Sequence, residues 1–265
     1  MRLDQILTEI EPITGKNLQV TRLENALTNA CYQITSDNKS WALRRNNERS
    51  SILGIDRYRE ARILSSAQAS GFTATIVAQS YEYLLTKWVY GQHWQMEIDP
   101  DLSQLIELID RVHHYPTASF QNTKPLDIRH QIKHLSQTIT LPHDVDKILD
   151  KLIDNYLPAA FLCLCHHDWH PGNLIIADSQ MILIDWEYAA LGDPVIDLAC
   201  AVTGFDLDHA QQALLLEIAG VSAERFKIAL ALVEMMSLLW FQCRYPMRNW
   251  ADRYLNWLSR WDSLR

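Results

Sequence analysis

The sequence His166-His167-Asp168-Trp169-His170-Pro171-Gly172-Asn173 is the most informative part of this chain. Asp168 lies five residues before Asn173. Pro171-Gly172 between them is a typical turn sequence, so the chain can turn back and direct both side chains at one point. A carboxylate and an amide placed in this way suit metal binding and proton transfer together.

A second acidic segment, Asp185-Trp186-Glu187-Tyr188-Ala189, follows two short apolar runs, Leu174–Ala177 and Met181–Ile184. Such a pair of runs predicts a small hairpin, which would return Asp185 to the loop that carries Asp168. Carboxylate and amide oxygens are hard ligands, and Mg²⁺ prefers a few of them together with phosphate oxygens and water. The two segments together therefore indicate a magnesium site.

The arrangement H-x-D-x-x-x-x-N, followed by an Asp after a strand, resembles the catalytic loop and metal-binding Asp of the protein-kinase-like fold. The segments 183–189 and 192–199 (Gly-Asp-Pro-x-x-Asp-Leu-Ala) are similar to those of the choline, thiamine and aminoglycoside phosphotransferase family. This resemblance implies an α+β, bilobal fold. The N-terminal lobe, residues 1–90, should hold a small antiparallel sheet and one helix, and the C-terminal lobe, residues 91–265, should be mostly helical.

The resemblance also implies roles for individual residues. Asp168 would be the catalytic base, and Asn173 and Asp185 would hold Mg²⁺ on the phosphates of ATP. The remaining expected members brace the loop or extend the metal shell: His166, Asp197 and Glu187. The reaction would be in-line transfer of the γ-phosphoryl group to an alcohol, promoted by positioning and charge neutralisation.

In the N-terminal lobe, the family has a basic residue on the third strand that contacts the phosphates and pairs with a helix Glu. Arg44 and Glu60 occupy these positions, with Arg in place of the usual Lys. The phosphate-covering loop should lie at residues 24–29, where relatives have glycines and this chain has none, so the Thr28 and Asn29 side chains are expected to contact the phosphates. Alternatively, Arg44 and Glu60 form a surface ion pair, which would contribute little to stability.

The hydrophobic pattern agrees with two lobes. Before residue 90 it predicts two strand pairs and a helix, at 30–35 with 41–45, at 75–79 with 83–88, and at 51–70. After residue 100, apolar residues recur every three or four positions. This spacing predicts helices at about 102–112, 127–139 and 144–157, and again between 206 and 264.

The composition limits the classes of function. The chain has 265 residues and a formal net charge of −8, with no run of Lys or Arg. It therefore lacks the electrostatic signature of nucleic-acid or anionic-membrane binding. Residues 1–12 lack the apolar core of a signal peptide, and no stretch is expected to be long and apolar enough to span a bilayer. We expect a cytoplasmic protein that acts on a small molecule.

A group of Cys and His residues offers an alternative metal site. Cys163, Cys165, His166, His167 and His170 carry thiolate and imidazole groups, the natural ligands of Zn²⁺. However, the two cysteines alternate with leucines as in a strand, and the sequence has no second pair of closely spaced cysteines. The neighbouring Asp and Asn prefer a hard metal, so magnesium is favoured over zinc.

The acceptor should be a small cationic alcohol, because an aromatic wall with carboxylates binds such cations by charge and cation–π attraction. By position, the candidates for this wall are Trp186, Glu187, Glu234, Trp240 and Tyr245. Aromatic residues at helical spacing usually lie in a core, so most of the C-terminal ones should pack there.

The resemblance also bears on which alcohol is used. Asp-Trp-Glu-Tyr-Ala is typical of choline and thiamine kinases, and the segment Leu239–Tyr245 is similar to the tail of bacterial thiamine kinases. Thiamine is therefore the expected acceptor. The alternatives are choline or ethanolamine, an aminoglycoside, and, as a different class of protein, a non-catalytic nucleotide-binding pseudokinase.

Overall fold

The computed structural model describes residues 1–24, 27–95, 102–178 and 180–262. Asn25 and Ala26 of the predicted phosphate-covering loop lie outside the described residues. The strands are β1 (Gln19–Leu23), β2 (Ala30–Ser36), β3 (Lys39–Arg45), β4 (Ile76–Gln79), β5 (Tyr83–Lys87), β6 (Gln92–His93), β7 (Cys163–Cys165), β8 (Leu174–Ala177), β9 (Gln180–Leu183) and β10 (Ala190–Gly192). The helices are α1 (Leu3–Thr14), α2 (Arg57–Ala67), α3 (Ser103–His113), α4 (Ile128–Ser136), α5 (His143–Asn155), α6 (Pro194–Gly204), α7 (His209–Ala219), α8 (Ala223–Arg244) and α9 (Ala251–Trp261).

The N-terminal sheet is antiparallel, with the strand order β1-β2-β3-β5-β4. The hairpin predicted between β2 and β3 is present, and Ser36 pairs with Lys39 across its turn. Asp37 in this turn has a φ of 50°, in the left-handed region that Asp tolerates better than most residues. The predicted pairing of β4 with β5 is also confirmed.

The two faces of this sheet have different surroundings because side chains alternate along a strand. Leu43 on β3 lies opposite Leu85 on β5, and both belong to a small core that includes Ile6 and Ile10 of α1. We call this side the outer face. Arg44 follows Leu43 and therefore projects from the other side, toward the C-terminal lobe.

Helix α1 and strand β1 extend the lobe beyond the predicted elements. Ile6 and Ile10 are four residues apart on α1 and fully buried, which is the spacing of an amphipathic helix. Strand β1 has no clear alternation of apolar residues, and its pairing with β2 fixes its conformation. Tertiary pairing of this kind often decides the structure of a short segment.

A larger core fills the C-terminal lobe, and Ile63 and Leu64 of α2 belong to it. Helix α8, 22 residues long, runs through this core and buries eight of its residues. By length and composition α8 could cross a bilayer, so the expectation that no stretch is long and apolar enough was wrong. A core helix needs apolar residues on most of its sides, which explains this composition. The cellular compartment stays a prediction.

Candidate active site

The loop that carries Asp168 and Asn173 connects β7 to β8. Residues Pro171–Asn173 form one 3-10 turn, and the Gly172 N–H donates to Nδ1 of His170 at 3.1 Å. The Asn173 side-chain amide donates to the backbone oxygen and to Oδ2 of Asp168, each at 2.9 Å. The turn thus holds the two side chains together. In the described part of the chain, no hydrogen bond uses Oδ1 of Asn173, which is therefore a spare acceptor.

Asp185 returns to the same loop through the hairpin of β8 and β9. The Ile184 N–H donates to the Asn173 carbonyl oxygen at 2.9 Å, which joins the two segments directly. Burial raises the pKa of Asp185, and the Asp168 carboxylate raises it further against the opposing charge of Arg44. The two negative charges repel one another, and a bound cation would relieve this repulsion.

Arg44 connects the sheet to Asp185. Its guanidinium donates to Oε2 of Glu60 at 2.7 Å and to Oδ1 of Asp185 at 2.9 Å. The Arg44 and Glu60 side chains are only 9% and 4% exposed, so they do not form the surface ion pair that was the alternative. Burial alone would lower the pKa of Arg44, but the Glu60 and Asp185 carboxylates raise it well above its usual range. Arg44 is therefore a permanent cation beside the predicted metal ligand.

A second buried arginine, Arg57, was not among the sequence candidates. Its two terminal nitrogens contact Oε2 of Glu60 at 2.9 Å, Oδ1 of Asn29 at 2.8 Å and Oε2 of Glu187 at 3.0 Å. Arg57 therefore joins α2, the loop before β2 and the segment after Asp185. Its position three residues before Glu60 on a helix is the signal that could have revealed it.

The loop before β2 contacts the same group of charges through Asn29. The Asn29 side-chain amide donates to Oε2 of Glu187 at 2.7 Å. Thr28, its neighbour, takes part through its backbone, whose carbonyl oxygen accepts from the Asn47 side chain at 3.1 Å. Of the two side chains expected to contact phosphate, Asn29 is thus already bound to a carboxylate.

Asp197 of α6 holds the start of the loop between β7 and β8 in shape. Its carboxylate accepts from the backbone N–H of His166 at 3.2 Å and of His167 at 2.6 Å, and it lies 2.9 Å from Nε2 of His113. The His166 ring contacts the Ile184 carbonyl oxygen at 3.1 Å, and burial lowers its pKa. Both residues thus contact the loop or the strand that precedes Asp185, and their bracing role stays a prediction.

The cysteines and histidines of the zinc alternative partly come together. The ligand atoms of His113, Cys163 and Cys165 lie within 4.8 Å of one another, as do those of Cys165, His167 and Asp197. However, His113 and Asp197 already bind each other. His166 and His170, the other two candidates, belong to neither group. The structure thus gathers the cysteines behind the loop, on the side of α3 and α6.

The sequence matches the phosphotransferase enzyme family over residues 19–229. The chain belongs to this family. It is 27% identical over 122 residues to protein LicA of Haemophilus influenzae, a match that covers 44% of this chain and less than half, 46%, of that protein.

Two solved structures show the fold of this phosphotransferase. Choline kinase LicA from Streptococcus pneumoniae gives a TM-score of 0.77 at 18% identity, covering 98% of this chain and 97% of that one. An aminoglycoside 2'-phosphotransferase-IIIa, solved as a GDP complex, gives a TM-score of 0.68 at 15% identity, covering 98% of both chains. The expected α+β, bilobal kinase-like fold is confirmed.

The residues predicted to line a substrate wall in this phosphotransferase take different places. Trp186 is 2% exposed, stacks on Phe72 and donates to the Leu183 carbonyl oxygen, so it packs in the larger core. The Glu234 carboxylate is bound by Trp261 and Arg260 of α9. The Trp186 ring therefore lies in the core and the Glu234 carboxylate is bound to α9, whereas both side chains were predicted to line the substrate wall.

Trp240 and Tyr245, near the end of α8, are only partly buried. Trp240 donates through its indole nitrogen to the Tyr188 hydroxyl, three residues after Asp185 in the chain. Tyr188 was not among the sequence candidates. The Tyr245 ring has the guanidinium groups of Arg248 and Arg244 at 4.4 and 5.2 Å from its centre. Trp240 thus lies next to the segment that follows Asp185, whereas Tyr245 already stacks with cations.

The donor atoms of the phosphotransferase fit a magnesium ion. Asp185, Glu187 and Oδ1 of Asn173 are hard oxygen ligands of the kind that Mg²⁺ prefers. Burial raises the pKa of Glu187 to about 7, and the Asp185 carboxylate adds to the rise. This surplus of buried negative charge is what a divalent cation would neutralise.

Proposed function

We propose that this chain is an ATP- and Mg²⁺-dependent kinase that phosphorylates the hydroxyl group of a small cationic alcohol. The observation that carries the proposal is the joining of Asp168, Asn173 and Asp185 into one cluster, next to the buried Arg44–Glu60 pair. Such a cluster provides a proton acceptor, metal ligands and a fixed cation. These are the parts that phosphoryl transfer requires.

Each residue has a role in this proposal. Asp168, whose carboxylate is partly exposed, accepts the proton of the substrate hydroxyl. Asn173, Asp185 and Glu187 would hold Mg²⁺, which when bound neutralises charge on the phosphates. Arg44 supplies a further positive charge to the phosphate group. A structure of LicA in complex with AMP, at a TM-score of 0.77, supports a nucleotide as the donor.

Two acceptors are supported by different observations. The fold likeness to choline kinase LicA favours choline or ethanolamine. The Leu239–Tyr245 tail, with Trp240 bonded to Tyr188, favours thiamine. All three alcohols carry a positive charge, which suits an acidic protein and an aromatic surface.

The experiment measures ADP release from Mg²⁺–ATP with thiamine, choline, ethanolamine and an aminoglycoside as acceptors. We expect turnover with one or more of the first three, and a decrease in kcat of about 10²- to 10⁴-fold for Asp168→Asn. Asp154→Asn, which removes an exposed carboxylate of α5, is the matched control and should retain full activity.

Nucleotide binding separates an enzyme from a pseudokinase. Asp168→Asn should bind Mg²⁺–ATP normally, whereas Asp185→Asn should lose the Mg²⁺-dependent part of the affinity. Wild-type protein that binds ATP but turns over none of the alcohols would favour the pseudokinase. Unchanged turnover by Asp168→Asn would exclude this residue as the base.

A further inference from the structure

A basic cavity of about 560 Å³ lies at the outer face of the N-terminal sheet, beside the start of α1. Among the described residues that line it, arginines outnumber carboxylates by five to one. The arginines are Arg2, Arg22, Arg45, Arg49 and Arg244, and the carboxylate is Glu48. The net charge of this lining is positive, whereas that of the whole chain, with 32 acidic and 24 basic residues, is negative.

Strand geometry separates this cavity from the catalytic cluster. Arg22 lies opposite Tyr32, and Tyr32 lies opposite Leu43, so these side chains share the outer face. Arg45 is two residues from Leu43 and projects to the same side. Arg44, between them, projects to the other side and binds Asp185. Neighbouring arginines on one strand therefore serve two different sites.

Arg2 pairs with Asp4 at 2.6 Å, whereas the other arginines of the cavity lack partners of opposite charge among the described residues. In the described part of the chain, no carboxylate lies within ion-pair distance of Arg22, Arg45 or Arg49, although Arg44 and Arg57 each bind two. Arg45 is also half-buried. Concentrated positive charge in a concave surface attracts anions, and a partly buried cation is stabilised by one.

Hydrogen bonds fix the wall of the cavity next to the loop before β2. Asn47 donates from its backbone to Oδ1 of Asn29 at 3.2 Å, and from its side chain to the Thr28 carbonyl oxygen at 3.1 Å. Arg244, at the end of α8, donates to the Leu27 carbonyl oxygen at 3.1 Å. The cavity is therefore built by both lobes and has a defined wall.

We propose that this cavity binds a small molecule that carries phosphate groups. Guanidinium groups match phosphate oxygens in charge and geometry, and each can donate two parallel hydrogen bonds. The volume lies in the range of about 300–1,000 Å³ typical of small-molecule sites, and a concave wall suits a soluble compound better than a flat lipid surface. The proposal does not depend on the kinase activity, since the five arginines take no part in the proposed metal binding and proton transfer, although Thr28 and Asn29 also line the cavity.

The test is calorimetric titration of the full-length protein with inorganic pyrophosphate, in the absence of divalent metal. Wild-type protein should bind it, and Arg22→Gln/Arg45→Gln should weaken binding about tenfold or more, as expected for the loss of charge-assisted hydrogen bonds. Arg49→Gln, at an exposed position, should weaken it in the same direction and guards against misfolding of the double variant. Arg253→Gln on α9 removes one charge elsewhere, as many as Arg49→Gln does, and should bind like wild type.

Three results would overturn the proposal. The first is that wild-type protein fails to bind pyrophosphate. The second is that the outer-face variants bind it as tightly as wild type does, and this result would place the anion in the catalytic cluster. Alternatively, wild type but not the double variant could sediment with phosphatidylcholine–phosphatidylglycerol vesicles without binding pyrophosphate. This last result would identify a membrane-contact surface in place of a small-molecule site.

Discussion

Arg57 is the residue whose contacts extend the expected site furthest. It shares Glu60 with Arg44, and it shares Glu187 with Asn29, so it connects the sheet lobe to the segment that follows Asp185. Removing one member of a buried charge network leaves the others without compensation, at a cost of about 3–5 kcal/mol. We predict that Arg57→Gln lowers kcat and weakens activation by Mg²⁺, measured as the Mg²⁺ concentration for half-maximal activity.

Two further variants show whether Arg57 acts on the site or only on stability. Arg57→Lys keeps the positive charge but has one ammonium group in place of the two terminal nitrogens of Arg. It should therefore restore part of the activation by Mg²⁺. Arg62→Gln, at an exposed position on the same helix, should behave like wild type. A less stable Arg57→Gln protein with unchanged Mg²⁺ activation would mean that the residue is structural.

The residues that could be predicted from the sequence are those whose contacts are local. Asp168 and Asn173 form a hydrogen bond across a turn although they are five residues apart, and the composition of the turn predicts this contact. The spacing of Arg57 and Glu60 on one helix is a local signal, but the contact of Arg57 with Glu187 could not be predicted, because it spans 130 positions and depends on how the lobes meet. Trp186 illustrates the reverse, since its neighbour Asp185 suggests a site whereas packing on Phe72 places the ring in the core.

At the scale of elements, the His113–Asp197 pair links α3 and α6 to the loop between β7 and β8. Burial would lower the pKa of His113, but the hydrogen bond and charge of Asp197 raise it above its ordinary value of 6.5. A histidine with a raised folded-state pKa contributes stability that is fully present below its unfolded pKa and is lost as pH rises through the folded value. We predict that His113→Asn lowers the free energy of unfolding by about 3 kcal/mol at pH 6, and by less at pH 9.

Urea unfolding of wild type and variant at the two pH values tests this prediction. His114→Asn is the matched control, because its contact with Asp110 is between exposed side chains and should contribute little at either pH. A destabilisation by His113→Asn that is equal at pH 6 and pH 9 would show that shape, and not charge, accounts for the pair.

The elements also differ in how far sequence could predict them. The β2–β3 hairpin and α3 carry strong periodic patterns and a clear turn, so local preference and tertiary structure agree. Strand β1 has no such pattern and exists because β2 offers a pairing edge. Helix α1 has apolar residues at helical spacing, and its place on the outer face follows from the small core.

At the scale of the whole molecule, two separate cores are joined by both polar and apolar contacts. Arg44 to Asp185, Arg57 to Glu187 and Arg244 to the Leu27 carbonyl oxygen all cross between the sheet and the helical lobe. Helix α2 adds apolar contact, since Ile63 and Leu64 pack in the larger core. A nucleotide bound between Arg44 and the Mg²⁺ ligands would add a further link between the lobes.

This link predicts how nucleotide binding should change the thermal stability of the wild-type and variant proteins. A compound that binds only the folded state at 100 times its Kd raises the free energy of unfolding by about 2.7 kcal/mol. For a chain of this size, we therefore expect Mg²⁺–ADP to raise Tm by about 5–10 °C in scanning calorimetry. Mg²⁺ alone should give a smaller shift, EDTA should abolish the Mg²⁺-dependent part, and Asp185→Asn should show little response.

Because the nucleotide would contact both lobes, the whole transition should move together. A scan in which one lobe's transition moves and the other stays would contradict a site shared between them.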